Sequence, residues 1–158
     1  MLRLPEFPPH VALIVVDCRN FHGTFNGHVG LHYGVQREYL EDRRGVNKFV
    51  GNLIDQGVDP VMLGDRSEKH IVAFYCNAGE HRSVAFAAMF GYYADMAGCD
   101  VDVKHVCKAL WSRRSCGQCR QCTTVPHTDI LEWLQEYFDT RRREEQARKR
   151  TRWHSRQA

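Results

Sequence analysis

The sequence predicts an α/β fold with a mostly parallel sheet and flanking helices, from three observations. Residues 11–16 form a continuous apolar run that ends in Asp17, as expected of a strand covered on both faces with a polar residue at its carboxyl end. Residues 71–75 form a second apolar run, which a turn at residues 76–83 connects to a helical stretch. Strand and helix patterns alternate along the chain, which is typical of a parallel sheet.

The first half of the chain contains a loop, a helix and a short strand by pattern. Residues 18–34 are polar and rich in Gly, His and Asn, which predicts a loop. Apolar residues recur at helical spacing over residues 46–54, and Gly57 follows as a stop signal. Residues 61–63 suggest a short strand.

The second half continues the alternation. We expect a helix over residues 83–97 that ends at Gly98, and a third strand over residues 101–106. A Cys-rich loop at residues 111–126 follows. Thr128 then begins an amphipathic helix, with apolar residues at helical spacing as far as residue 138.

The charge distribution divides the 158 residues into one domain and a tail. The net charge is +3, but residues 141–158 contain eight Arg or Lys and two Glu, a balance of +6, so residues 1–140 sum to −3. We therefore predict an α/β domain over residues 1–140, with residues 111–126 as a Cys-rich insertion, and a basic helical tail over residues 141–158.

Cysteine usage and hydropathy predict the compartment. The seven cysteines are an odd number at uneven spacing, unlike a disulfide framework. No apolar run approaches the roughly 20 residues that span a bilayer, and prolines interrupt the N-terminal segment where a secretory signal would need an apolar core. We expect a reduced, cytoplasmic protein without a membrane partner. The sequence does not predict an oligomeric state.

The segment of residues 76–83, Cys-Asn-Ala-Gly-Glu-His-Arg-Ser, predicts an anion-binding turn. A strand–turn–helix connection directs backbone N–H groups and the positive end of the helix dipole at one point. Gly79 lets an anion approach the main chain. Arg82 offers a fork of donors that matches phosphate oxygens, and Ser83 can cap the helix, donate to a ligand or donate to the Cys76 sulfur. The alternative is an ordinary connection with a solvated Arg82.

The spacing Cys-x5-Arg-Ser resembles the signature loop of cysteine-dependent phosphatases. In those enzymes a thiolate attacks phosphorus while the Arg binds the phosphate oxygens, which assigns Cys76, Arg82 and Ser83 to catalysis. The family's usual His before the Cys is replaced by Tyr75, and the sequence does not identify a general acid.

A second resemblance covers about residues 10–110. Asp17-Cys18-Arg19, the segment from Cys76 to Val84 and the Val-x-x-Lys-His pattern at residues 101–105 are similar to the C-terminal domain of the RapZ RNase adapter family. That domain senses an amino-sugar phosphate and contributes to small-RNA binding. The resemblance implies a ligand site that is lined by Cys76, Asn77, Ala78, Gly79, Glu80, His81, Arg82 and Ser83, with Asp17 and Arg19 opposite and His22 or His28 nearby.

The Cys-rich segment and the basic tail depart from the RapZ pattern, so the adapter role does not transfer with the site. No G-x-x-x-x-G-K-[ST] motif occurs, and we predict no nucleotide cofactor.

Cys116-x-x-Cys119-x-x-Cys122 predicts a metal site. Two-residue spacing suits neighbouring ligands of a tetrahedral Zn²⁺, which requires four. The fourth ligand is open between His127, Cys107 and His105. Iron–sulfur ligation and surface thiols are the alternatives.

Two interpretations of the tail remain open. Its arginines, Lys149 and Trp153 suit RNA phosphates and base stacking. Glu144 and Glu145 lie four residues before Arg148 and Lys149, which favours an exposed, solvated helix.

The leading functional hypothesis is a domain that binds a phosphorylated ligand (a sugar phosphate, a nucleotide or an RNA phosphate) and that serves as an RNA-binding or sensing module. The alternatives are a cysteine-dependent phosphatase and a zinc-stabilised protein-interaction adapter.

Overall fold

The computed structural model describes residues 11–23, 27–63, 69–111, 116, 118–123 and 127–155. Residues 112–115, 117 and 124–126 of the predicted Cys-rich insertion and residues 156–158 of the predicted tail lie outside the described residues.

The protein mixes helices with a small parallel sheet. In chain order its elements are β1 (Ala12–Asp17), α1 (Tyr33–Glu41), α2 (Arg43–Asp55), α3 (Pro60–Leu63), β2 (His70–Tyr75), α4 (Arg82–Met96), a 3-10 turn (Lys108–Leu110), α5 (Arg120–Thr123) and α6 (Thr128–Ser155). In the described part of the chain, the sheet contains β1 and β2 only, paired in parallel from Ala12 opposite His70 to Asp17 opposite Tyr75.

The predicted third strand at residues 101–106 is wrong, because the structure has no strand there. The segment instead lies against α4, where Val103 Cγ2 is 2.4 Å from the position that a Cβ on Gly91 would occupy. Val106 is 58% exposed. Alternating valines therefore pack on a helix without joining the sheet.

The predicted strand at residues 61–63 is also wrong, because these residues belong to α3. Asp59 and Pro60 explain the difference. The Asp59 carboxylate accepts a hydrogen bond from the Val61 N–H at 3.1 Å, and Pro60 occupies the first helical position, where its missing N–H has no cost.

β1 is buried on one face only, contrary to the prediction for its apolar run. Ile14 and Val16 are buried, whereas Leu13 and Val15 are 52% and 53% exposed. A two-stranded sheet with its helical core on one side explains this alternation.

The core is a cluster of aromatic side chains between the sheet and the helices. Phe21, from the loop after β1, contacts Phe86 of α4 with ring centroids 4.0 Å apart, and Phe49 of α2 lies 4.6 Å from the same ring. Tyr93 of α4 stacks on Phe138 of α6 at 4.8 Å. Each such buried ring contributes about 2 kcal/mol from area alone, so the loop after β1 is held firmly where it leaves the sheet.

Local signals explain most helix ends. Asp42 accepts a hydrogen bond from the Gly45 N–H at 3.0 Å and caps α2. Gly57 and Gly98 follow α2 and α4 with φ of +79° and +90°, which confirms both as stop signals. α1 was not predicted from the sequence, and its cap is the His32 Nδ1 acceptor 3.1 Å from the Gly34 N–H.

α6 runs without a break from the core into the basic segment. Arg142 donates to the two Asp59 carboxylate oxygens at 2.5 and 2.8 Å and to the Tyr93 hydroxyl at 3.1 Å. Its side chain is 18% exposed and that of Asp59 is 9% exposed. The first residues of the predicted tail are therefore part of the packed structure.

None of the helices in the described residues combines the length and the apolar character that a membrane span requires.

Candidate functional site

The turn at residues 76–83 lies at the carboxyl ends of both parallel strands. Tyr75 ends β2 opposite Asp17, the last residue of β1, and α4 begins at Arg82. This edge of an open α/β sheet is where ligands commonly bind, because the loops diverge there. The structure thus places the predicted turn and the predicted Asp17–Arg19 segment side by side.

Cys76 is surrounded by hydrogen-bond donors within the turn. Its sulfur lies 3.2 Å from the Ser83 hydroxyl. Partial burial opposes ionisation of the thiol, but the Ser83 hydroxyl and the backbone N–H groups of Ser83, Gly79 and Ala78 outweigh it, so the pKa of Cys76 lies below its ordinary value. The turn therefore stabilises negative charge at the sulfur.

Gly79 has the conformation that the sequence predicted to be necessary. Its φ is +66°, and a Cβ at this position would lie 3.1 Å from Cys107 Cβ and 3.3 Å from Cys107 Sγ. The Trp111 indole donates a hydrogen bond to the Gly79 carbonyl at 2.9 Å. Cys107 and Trp111 thus support the turn from outside.

Arg82 connects the turn to the first loop. Its guanidinium donates to the backbone carbonyl of Arg19, so it lies between the two halves of the predicted site. His81 precedes the helix, and burial lowers its pKa below the ordinary value, which favours the neutral imidazole. Glu80 is 9% exposed, and its carbonyl accepts a hydrogen bond from the Gly30 N–H at 2.9 Å. Asn77 and Ala78 are exposed at the tip of the turn.

Asp17 and Arg19 pair with each other. The guanidinium donates to the two carboxylate oxygens at 2.7 to 3.0 Å and reaches the Tyr75 hydroxyl at 3.3 Å. The hydrogen bonds from Arg19 hold the pKa of Asp17 far below its ordinary range. Asp17 is therefore an anion in this geometry and has no proton to give to a leaving group.

His22 is exposed in the loop after β1. The structure provides no contact that assigns it to the turn.

His28 lies beside the cysteines of the Cys-rich segment and is the fourth member of a cluster of candidate metal ligands. One ligand atom from each of His28, Cys116, Cys119 and Cys122 lies within 4.8 Å of all the others. Cys119 and Cys122 Sγ are 3.5 Å apart, and His28 Nδ1 is 3.8 Å from each sulfur. Ligands 2.0 to 2.3 Å from a tetrahedral zinc ion would be roughly 3.3 to 3.8 Å apart. The cluster could therefore hold a metal ion.

Backbone hydrogen bonds hold the residues of the cluster together. Cys116 pairs with His28 in an isolated parallel bridge, with hydrogen bonds from Val29 N–H to Cys116 O at 3.1 Å and from Cys116 N–H to Gly27 O at 2.7 Å. The Cys119 N–H donates to Cys116 Sγ at 3.3 Å. Hydrogen bonds from the backbone of Gln118 and Cys119 lower the pKa of Cys116.

The pKa of the Cys122 thiol changes in the opposite direction to that of Cys116. Burial, together with the neighbouring Cys119 and Cys116, raises the pKa of Cys122 to about 12. Three adjacent thiols cannot all ionise without a compensating cation, and a bound metal would supply it.

The predicted fourth ligands lie elsewhere. His127 packs against Tyr33 with ring centroids 4.0 Å apart, Cys107 lies against Gly79, and His105 lies 5.7 Å from the Trp111 ring. None of the three belongs to the group of candidate ligands in the described residues, in which His28 is the fourth member. Spacing did not reveal His28, which is 88 residues from Cys116, although its place in a Gly-flanked polar loop was a signal.

Residues 27–32 connect the cluster to the turn. Gly30 follows the His28–Val29 pair by one residue and lies so close to α4 that a Cβ would be 2.0 Å from His81 O and 2.4 Å from Ala85 N. His28 also stacks on His32, the cap of α1, at 3.9 Å. Two residues of backbone therefore separate His28 of the cluster from the residue that lies against the start of α4.

Comparisons with protein-family models, with curated proteins and with solved structures found no match for this chain. The resemblances to the RapZ domain and to cysteine-dependent phosphatases therefore remain predictions from the motifs.

Proposed function

We propose that the turn of residues 76–83 binds the phosphate group of a small phosphorylated molecule. The observation that carries this proposal is the position of the Cys76 sulfur, 3.2 Å from the Ser83 hydroxyl at the start of α4, where backbone N–H groups help to lower the pKa of the thiol. An environment that favours a thiolate also favours a phosphate oxygen, because both are anions that accept N–H donors.

Arg82 supplies the charge of the proposed site. Its guanidinium donates a hydrogen bond to the Arg19 carbonyl, a neutral acceptor. A short rotation of the guanidinium would allow it to donate to a phosphate oxygen, which is an anionic acceptor. Hydrogen bonds to charged groups are the stronger kind. The RapZ resemblance makes a sugar phosphate the first ligand to test.

Thermal unfolding in the presence of glucosamine-6-phosphate or inorganic phosphate tests this proposal. A ligand that binds only the folded protein at 100 times its dissociation constant stabilises it by about 2.7 kcal/mol. We expect a rise in Tm with either anion, no rise with glucosamine, and loss of the rise in Arg82→Ala. Arg37→Ala is the matched control, since Arg37 pairs with Glu41 on the exposed face of α1. An unchanged Tm at tens of millimolar phosphate would contradict the proposal.

A cysteine-dependent phosphatase is the second candidate, and the lowered pKa of Cys76 favours it. Its thiolate would attack phosphorus, the alcohol would leave, and water would then hydrolyse the thiophosphate. The ionised Asp17 cannot protonate the leaving group, so we expect negligible turnover of alkyl phosphates. Hydrolysis of 4-nitrophenyl phosphate that disappears in Cys76→Ser would place this candidate first.

We further propose that His28, Cys116, Cys119 and Cys122 bind one zinc ion with a structural role. The donor set of one imidazole and three thiolates is typical of closed structural zinc sites. Four protein ligands leave no open position for catalysis. If the turn binds no anion, this site supports the alternative of a zinc-stabilised interaction adapter.

Metal analysis of protein purified without chelator tests the zinc proposal. We expect about one zinc per chain, lost in His28→Ala and in Cys119→Ser. His127→Ala and Cys107→Ser are matched controls that should retain the metal, because both residues lie outside the cluster. Iron with visible absorbance would favour an iron–sulfur centre, and substoichiometric metal with freely titrating thiols would contradict both.

RNA binding by α6 is a weaker proposal. Trp153 is 57% exposed, but Arg148 and Lys149 form i,i+4 pairs with Glu144 and Glu145. If these cations contact phosphates, affinity falls log-linearly with salt. We expect replacement of Arg148, Lys149, Arg150 and Arg152 by Gln to flatten that slope while leaving Arg142 and the fold intact. If the parent protein and the Gln variant bind RNA equally at low salt, the basic end of α6 is a solvated helix that does not contact RNA.

A further inference from the structure

Cys18 and Cys76 stand opposite each other at the end of the sheet. Cys18 follows Asp17 and Cys76 follows Tyr75, the last pair in the register of β1 and β2. The Cys18 N–H donates to the Tyr75 carbonyl at 2.9 Å, which continues the parallel ladder by one residue. Neighbouring strands lie about 4.8 Å apart, and a disulfide joins Cα atoms roughly 4.4 to 6.8 Å apart.

The two thiols differ in accessibility and in ionisation. Cys76 is partly exposed in the turn, where hydrogen-bond donors surround its sulfur. Cys18 is completely buried, and its thiol is held in the neutral form by burial and by the proximity of Cys76. Cys76 is therefore the thiol that a solute oxidant can reach, and Cys18 is the buried thiol at the end of the adjacent strand.

We propose that Cys18 and Cys76 form a reversible disulfide when hydrogen peroxide oxidises Cys76. The Cys76 thiolate attacks a peroxide oxygen, the O–O bond breaks, and a sulfenic acid and hydroxide form. The Cys18 sulfur then attacks the Cys76 sulfur, the S–O bond breaks, and the departing hydroxide takes the Cys18 proton as water. The two thiols lose two electrons in total, and the peroxide gains them.

Cys107 is the competing partner, and the geometry disfavours it. A Cβ on Gly79 would lie 3.1 Å from Cys107 Cβ, so Cys107 packs against the backbone of the turn three residues after Cys76. No β-ladder pairs Cys107 with Cys76 in the described residues. Cys18 and Cys76, by contrast, are brought together by adjacent, hydrogen-bonded strands.

The bridge has a consequence for the turn that rests on the proposed function. A disulfide sulfur carries no charge, and it draws the Cys76 side chain toward the sheet and away from the N–H groups at the start of α4. Oxidised protein should then bind phosphate less tightly than reduced protein. Disulfide mapping tests the bridge without reference to any ligand, so the two ideas fail separately.

Peptide mapping after peroxide treatment of the metal-loaded protein tests the proposal. Trypsin places the three thiols in separate peptides, residues 4–19 for Cys18, 70–82 for Cys76 and 105–108 for Cys107. We expect one peroxide equivalent to yield a species that joins the first two peptides and that dithiothreitol separates. A bridge to the third peptide, or sulfinic acid at Cys76 without a bridge, would overturn the proposal.

Two variants test the partner of Cys76 in the disulfide. Cys18→Ala should stop the oxidation at sulfenic acid, which dimedone traps on residues 70–82. Cys107→Ser should form the bridge like the parent protein. If Cys18→Ala fails to fold, the mapping of the parent protein and of Cys107→Ser still decides the matter.

Discussion

The turn at residues 76–83 and the cluster of His28, Cys116, Cys119 and Cys122 both contain cysteine thiols, but the pKa of the thiol is lowered at Cys76 and raised at Cys122. In the turn, one thiol faces hydroxyl and amide donors that already favour the thiolate. In the cluster, three thiols face one another, and Cys122 resists ionisation up to a pKa of about 12. The turn lowers the pKa of its thiol with groups of the chain itself, whereas the four cluster residues form a group that could hold a metal ion.

The difference follows from where the donors come from. A strand–turn–helix connection generates its own N–H groups, so a short segment of chain is sufficient. The cluster draws His28 and Cys116 from distant parts of the chain, and the negative charges of three adjacent thiolates would repel one another unless a bound cation offset them. We therefore expect the turn to tolerate loss of its thiol and the cluster not to.

The largest expected effect is the contrast between Cys119→Ser and Cys76→Ser. Cys119→Ser should lose the metal and with it about 3 kcal/mol or more, which lowers Tm by roughly 10 °C in a protein of this size. Cys76→Ser should cost less than about 1 kcal/mol, because a hydroxyl accepts the same N–H donors. Scanning calorimetry measures both, and equal losses would show that the two sites do not differ as described.

The next effect concerns Gly30, which joins the two sites. Gly30→Ala places a methyl group 2.0 Å from His81 O, and backbone atoms cannot move aside without displacing α4. Overpacking of this kind costs roughly 1 to 3 kcal/mol.

The Gly30→Ala variant should weaken phosphate binding while retaining its metal. Gly51→Ala is the matched control, since the three atoms nearest to its Cβ would be those of the flexible Arg141 guanidinium, each at 3.4 Å. Denaturant melts and phosphate titrations make the measurement. Unchanged phosphate affinity at full metal content would show that the sites are independent.

A smaller effect separates backbone strain from contact at Gly79. Both Gly79→Ala and Gly57→Ala force alanine into positive φ, at a cost of about 1 kcal/mol. The first also presses on Cys107, whereas no atom of the described residues lies within 4 Å of the Cβ position at Gly57. Gly79→Ala should therefore be the less stable variant in urea unfolding and the one of the two that loses phosphate binding. Equal stability and equal phosphate binding of the two variants would show that contact with Cys107 does not support the turn.

The smallest effect is on the ionisation of Cys76. Ser83→Ala removes one donor to the sulfur, and a hydrogen bond to a charged group contributes about 1.5 kcal/mol. The pKa of Cys76 should therefore rise, because the thiolate loses a hydrogen-bond partner. The alkylation rate of Cys76 would then reach half its maximum at higher pH, while Ser155→Ala leaves the profile in place. A thiolate population that does not change would assign the low pKa to the amides alone.

Local patterns in the sequence predicted most of the site but not its assembly. The turn at residues 76–83 was predictable because the strand, the glycine and the helix that form it are neighbours in sequence. The triplet of Cys116, Cys119 and Cys122 was equally visible, although its fourth ligand was assigned to His127 or Cys107. The predicted strand at residues 101–106 failed for the same reason, since its valines pack on Gly91 of a helix outside that segment.

The sequence alone determined the strand–turn–helix around Cys76, because that geometry depends on hydrogen bonds between close neighbours and on Gly79 at positive φ. It also determined the helix stops at Gly57 and Gly98. Only the tertiary structure decided that His28 joins the three cysteines, that the Cys18 N–H bonds to the Tyr75 carbonyl and that Arg142 pairs with Asp59. Each of these contacts joins residues more than 55 positions apart, so it forms only when packing of the aromatic core has brought the segments together.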